Sequence, residues 1–372
     1  MRLSASLFAL AALCVAQQQV SGRYQVTLRL PPEGLFAREE TQIEFHVEDT
    51  YRPDPLGGYT AVVRAAPEAV IDMPEMPGMP KFAEIAHMEG VPGDYGIHPT
   101  FAHGGDYRLR LSIRPPAGEV FQVVFPLKVV DGIKRKPAPS RYALEFSAEP
   151  KRPKAGETVE LRMSVRDRDR DNGVVTGFET VHEAKMHLVV VRKDLSQFAH
   201  AHPELQPDGT FRLTYMFAAG GDYRLFADVA PRGAGAQVLS AKLNVRGPEG
   251  ARFDVRSASG VTKQNIAGTI VELTSSAALP AGRSSTVVFS VRDSRTGEPA
   301  RDLEPYLGAA GHLMLVHEDA ATFVHSHPTG DNDLCFLARL PKPGLYRGWL
   351  QFQRSGQLLT AEIILRAEEK HE

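Results

Sequence analysis

Apolar and polar residues alternate along most of this chain, in segments such as "RYQVTLRL", "QIEFHVED", "YRLRLSI", "TVELRMSVRD", "STVVFSVRD" and "AEIILRA". A period of two places successive side chains on opposite faces, so each segment predicts a short, half-buried strand. Pro, Gly and Asp fall between the runs, and no long stretch carries a helical period. The 32 Gly and 27 Pro fit the same picture, since both residues punctuate turns and are poor in helix interiors.

Internal repetition sets the architecture. "AHGGDYRLRL" at 102–111 returns as "AAGGDYRLFAD" at 218–228 and as "PKPGLYRGWLQF" at 341–352. Upstream, "GETVELRMSVRD" at 156–167 matches "GRSSTVVFSVRD" at 282–293, with "EETQIEFHVED" at 39–49 as a third copy. Copies recur every 115 to 125 residues, the size of a seven-stranded sandwich. The expected fold is all-β, three tandem immunoglobulin-like sandwiches at 22–131, 140–246 and 253–367. Polar joints at "DGIKRKPAPS" and "RGPEGARFD" are short and Pro-containing, which predicts a semi-rigid string.

Two hairpins carry the candidate chemistry. In "MHLVVVRKDLSQFAHAHPE", a turn centred between Asp194 and Leu195 sets His187 opposite His202, with His200 on the same sheet face. "GHLMLVHEDAATFVHSHP" repeats the spacing with His312, His325 and His327. Neutral imidazole suits Zn, Cu and Ni, and three clustered nitrogens leave coordination positions open. A solvated polar rim is the alternative reading. His182, Glu183, Glu204 and Asp228 are candidate accessories, Met314 shares the face of His312, Met186 points the other way, and His317 is expected to be exposed near a turn. The first repeat has instead "DMPEMPGMP", whose Met73, Met76 and Met79 recur every third residue. Thioethers select Cu(I), although a Met-rich plug over the core would use the same residues.

Formal charge is −2, with 43 Lys+Arg interspersed among 45 Asp+Glu, which leaves no basic field for nucleic acid. "MRLSASLFALAALCVAQQQ" reads as a secretory signal at 1–16, cleaved after Ala16, and is too short to be an uncleaved anchor. Acylation of Cys14 is disfavoured by Leu13. Removal of the signal leaves Cys335 as the one cysteine, so no internal disulfide is expected. The mature chain is predicted to be exported, periplasmic or extracellular, with no transmembrane span.

The first repeat, through "MPEMPGMP" and "GDYGIHPTFAHGGDYRLRLSI", resembles the YtkA-like domain family of small exported β-sandwiches. The other two resemble modules of exported proteins presumed to handle heavy metals. The resemblance implies copper, with Met73, Met76, Met79 and His98 as ligands in the first unit and the histidine triplets in the others. A mature N-terminus at Gln17 argues against a histidine-brace monooxygenase.

The leading expectation is therefore a non-enzymatic exported protein that binds Cu(I) at the methionines and Cu(II) or Zn(II) at the histidines, for buffering, delivery or resistance. Its partners would be metal ions and envelope copper-handling or efflux proteins. A structural or adhesive string of immunoglobulin-like modules is the alternative. A three-histidine metallohydrolase using Glu204 or Glu183 ranks last.

Overall fold

A computed structural model describes residues 17–55, 57–76, 78–132, 140–257, 262–329 and 334–369. The signal segment at 1–16 lies outside them. The described residues form six sheets, two for each sequence repeat, and no helix. Strand pairs are antiparallel except Leu35–Phe36 with Phe121–Val130 and Ala278–Pro280 with Gln357–Glu368. The protein is thus a tandem of immunoglobulin-like β-sandwiches, with a separate buried core in each.

The repeated Gly-x-Tyr motif has a structural cause. Tyr107, Tyr223 and Tyr346 each donate their hydroxyl to the backbone carbonyl four residues upstream, at His103, Ala219 and Lys342. This is the tyrosine corner that pins one end of such sandwiches. The glycine two residues earlier adopts φ of 144°, 131° and 131° at Gly105, Gly221 and Gly344. Only glycine occupies that region readily, and a Cβ there would strike Met73 Cε, Arg192 Nε and His317 Nε2 respectively.

One expectation is corrected at that position. His317 is buried rather than exposed, because it covers Gly344 as Arg192 covers Gly221; its Nε2 donates to the Pro343 carbonyl at 3.1 Å.

The chain divides into two compact units, Met1–His87 with Gly93–Ala138, and Met88–Pro92 with Pro139–Glu372. The second unit holds both histidine-bearing sandwiches, which are packed together more closely than the expected semi-rigid string requires. Their strands Met186–Arg192 and His312–His317 are buried at every position. Met186, Leu188 and Val190 enter the core of their own sandwich, while Val189 and Val191 form a separate cluster with Met314, Val316 and Trp349. The outer faces of the two sheets cover one another.

Candidate metal centre

The contact between the two sheets is nearly symmetric. Phe198 of one hairpin stacks on Trp349 of the other sandwich, with centroids 4.3 Å apart, and its repeat counterpart Phe323 stacks on Phe226 at 5.0 Å. Arg347 Nη1 donates to the Leu195 carbonyl at 2.5 Å, and Arg224 Nε to that of Ala320 at 3.1 Å. Each pair is the other rotated by a two-fold operation, the arrangement of an isologous dimer built within one chain.

The histidines occupy one end of this contact. The second-sandwich hairpin pairs Leu188 with Ala201 and Val189 with His200, the predicted register, so His187, His200 and His202 share one face. Met314 pairs with His325 in the third sandwich, which brings His312, His325 and His327 together in the same way. Ring centroids for 187–200, 187–202 and 200–202 are 5.3, 4.9 and 4.6 Å apart, against 5.6, 5.2 and 4.3 Å for 312–325, 312–327 and 325–327. Across the contact, His187 lies 5.3 Å from His325 and His200 5.8 Å from His312. The two triplets therefore form one cluster of six.

Proton accounting shows what this cluster offers. His187 Nε2 donates to the Val181 carbonyl at 2.9 Å, and His312 Nε2 to that of Tyr306 at 3.0 Å. Those carbonyls are aimed by matching tight turns, with positive φ at His182 and Glu183 in one and at Leu307 and Gly308 in the other. His200 Nδ1 donates to Gln351 Oε1 at 2.9 Å, an orientation fixed because the Gln351 amide donates to Thr360. His325 Nδ1 donates to Asp228 Oδ2 at 2.8 Å. Gln351 and Asp228 are two-fold mates, so each sandwich orients a histidine of its neighbour.

A neutral imidazole has one N–H, so the opposite nitrogen in each of these four rings carries a bare lone pair. His187 Nδ1 and His200 Nε2 face each other at 3.1 Å. His202 Nε2, His312 Nδ1, His325 Nε2 and His327 Nε2 are buried without a hydrogen-bond partner among the described residues. Ligand nitrogens of His187, His200 and His325 lie within 4.8 Å of one another, as do those of His312, His325 and His327.

Burial keeps the rings neutral. It lowers His182 and His202 to about 4 with help from nearby His187, His200 to about 3 with help from His202 and His187, and His312 to about 2 with help from His182 and His200. His325 and His327 fall well below the usual range for the same reasons, and His187 is lowered by burial. Burial also pushes the Asp228 carboxyl up to about 7.

The accessories separate clearly. His182 stacks on His327 at 3.9 Å and breaks the two-fold, because Leu307 is its counterpart. Met314 fills the apolar part of the contact with Trp349. Glu183 is exposed. Glu204 is exposed and pairs with Arg212 in the opposite sheet of its sandwich, so Asp228 is the carboxylate at the histidines.

In the first unit the implied ligand set divides. His98 stacks on His87 at 4.9 Å, its backbone N–H donates to Glu84 at 3.0 Å, and these three side chains form a cluster of their own, while His98 is not among the residues that line the methionine cavity. Met73 packs against the core, where its methyl covers Gly105, and Met76 is 46% exposed. Met79 Sδ lies 3.1 Å from Nε2 of His103, whose Nδ1 donates to the Gly104 carbonyl. The three thioethers line a cavity of about 210 Å³ together with Asp72, Lys81, Arg108 and Arg110. Arg108 and Arg110 both bond Asp72, so this wall has cationic groups that oppose an added cation.

Comparison with known proteins adds the following. Residues 140–247 and 264–369 each match the model of the Domain of unknown function (DUF8832), together more than half of the chain, and residues 18–112 match the YtkA-like model. No curated protein matches the chain. Solved structures similar to it include FdeC, an Escherichia coli adhesin, at 13% identity over 95% of this chain and 99% of that one, with a TM-score of 0.22. Invasin, a bacterial integrin-binding protein, is 16% identical over 92% and 60%, with a TM-score of 0.18. Salmonella alpha-2-macroglobulin is 11% identical over 96% and 24%, with a TM-score of 0.22. At these scores the likeness decides nothing about what this chain binds.

Proposed function

Since this chain belongs to the family described as the Domain of unknown function (DUF8832), in two copies behind a YtkA-like region, we propose that it is an exported, non-enzymatic metal-binding protein that buffers, delivers or confers resistance to copper. The observation that carries this reading is the set of six buried or part-buried imidazoles whose inward nitrogens are bare. Each unsatisfied buried polar group costs about 1–3 kcal/mol. The four nitrogens at His202, His312, His325 and His327 together impose a penalty comparable to the stability of a whole domain. Coordination to a late first-row ion removes it, and neutral nitrogen donors suit copper or zinc. Met79 with His103 offers a softer pair for Cu(I) in the first unit.

A structural or adhesive envelope role is the second reading. What favours it is the apolar half of the contact, Val189, Val191, Met314, Val316 and the two aromatic stacks, which hold the sandwiches paired with or without ions. Competition titrations with Cu(I), Cu(II) and Zn(II) separate the two. They compare the mature chain with a variant carrying Ala at His187, His200, His202, His312, His325 and His327, and with the milder pair His202→Gln and His327→Gln. Sub-micromolar affinity that falls in both variants supports metal handling. Equally weak binding by all three proteins overturns it in favour of the structural role.

A further inference from the structure

We propose that the six histidines form a single binuclear centre, with one ion held by His187 Nδ1, His200 Nε2 and His202 Nε2 and a second by His312 Nδ1, His325 Nε2 and His327 Nε2, side by side across the pseudo-two-fold. This inference rests on the metal-binding reading and specifies its stoichiometry and geometry, which the sequence spacing left open.

Three observations support it. The donor atoms match one for one, since the ring that opens each strand has its Nε2 held by a carbonyl and turns Nδ1 inward, while the ring facing it across the hairpin has its Nδ1 held by Gln351 or Asp228 and turns Nε2 inward. Ring-centroid distances within the two triplets agree to within a few tenths of an ångström, and ligand nitrogens of His312, His325 and His327 already lie within 4.8 Å of one another, while those of His187 and His200 do so with His325, leaving His202 to close on its pair when an ion binds. The groups also interpenetrate. His325 brings a ring nitrogen within 4.8 Å of those of His187 and His200 while belonging to the third-sandwich triplet.

That last contact sets the spacing. With metal–nitrogen bonds of about 2 Å, the two ions are at most about 9 Å apart, and where both sit on the shared side of their triplets they approach the roughly 4 Å of two-metal sites. Because Gln351 and Asp228 reach across the contact, docking of the two sandwiches orients His200 and His325 before any ion arrives. Each triplet is therefore preorganised by the partner sandwich.

The test is Cu(II) titration of the full chain in a His98→Ala background, which removes the separate Glu84 cluster, with metal counting and electron paramagnetic resonance. The expected result is two ions per chain and a signal that is broadened or lost at full loading, because two Cu(II) spins so close couple strongly. His202→Gln and His327→Gln, made singly, should each reduce the count to one and restore an isolated Cu(II) spectrum. One ion per chain in the parent, or two with uncoupled spectra, overturns the pairing while leaving metal binding intact. No bound ion overturns both this inference and the reading beneath it.

Discussion

Phe198→Ala tests whether the two histidine-bearing sandwiches are held by the face described above. Phe198 is half-buried and lies parallel to Trp349, with an interplanar angle of 7° at 4.3 Å. Truncation of a fully buried Phe costs about 3–5 kcal/mol, so half-burial scales to about 2 kcal/mol. Loss of the aromatic pair adds about 0.5–1.5 kcal/mol, for a total of about 2.5–3.5 kcal/mol. In a unit of this size each kcal/mol lowers the midpoint by about 2–4 °C, which predicts a fall of about 5–14 °C in the transition of the second unit and none in that of the first. The assay has a built-in reporter, because Trp349 is the single tryptophan and is 2% exposed. Its emission in the folded variant should shift to the red as water reaches the indole. Phe323→Ala, the two-fold mate, should cost a similar amount through Phe226. Unchanged emission with a midpoint within a degree of the parent in both variants would refute the packed-face account.

Three further predictions follow from the same structure. Burial opposes charging of His46, but hydrogen bonds to Asp94 and Glu48 outweigh it and raise the imidazole to about 9, with Arg29 nearby opposing. A folded value above the unfolded one stabilises fully below about pH 6.5 and is lost as pH rises through about 9, so His46→Gln should cost the first unit about 3 kcal/mol at pH 6 and little near pH 10 in urea unfolding. At pH 8, above the raised value of about 7 for the Asp228 carboxyl, Asp228→Asn should weaken metal affinity about 10–100-fold by removing the anionic partner of His325, with chelator competition as the readout and an unchanged affinity counting against its role. Gly221→Ala places a Cβ 2.8 Å from Arg192 Nε at a φ of 131°, and should lower unfolding stability by about 1–3 kcal/mol, whereas Gly233→Ala, with open space around it, should lose less.

Local pattern alone determined a great deal. Period-two alternation marked the strands, the turn centred between Asp194 and Leu195 put His187 opposite His202, the same spacing repeated that register for His312 and His327, and recurrence of Gly-x-Tyr marked an equivalent position in every sandwich. These depend on neighbours along the chain or across one hairpin, where the two-residue repeat fixes which side chains share a face. What that repeat cannot name is the surface covering the face.

A signal of the coverage was present in "MHLVVVR" and "HLMLV", which are continuously apolar in place of alternating, as strands buried on both faces are. The aromatics Phe198, Phe226, Phe323 and Trp349 at matching repeat positions pointed the same way. Only tertiary structure brought the two triplets into one cluster, paired Asp228 with His325 from the other sandwich, placed His98 with Glu84 and His87, and packed Met73 against the core. Each of those contacts joins residues distant in the chain or on different sheets, and their formation depends on how finished sheets dock. Docking is decided by summed burial over whole faces, which no single spacing in the sequence encodes.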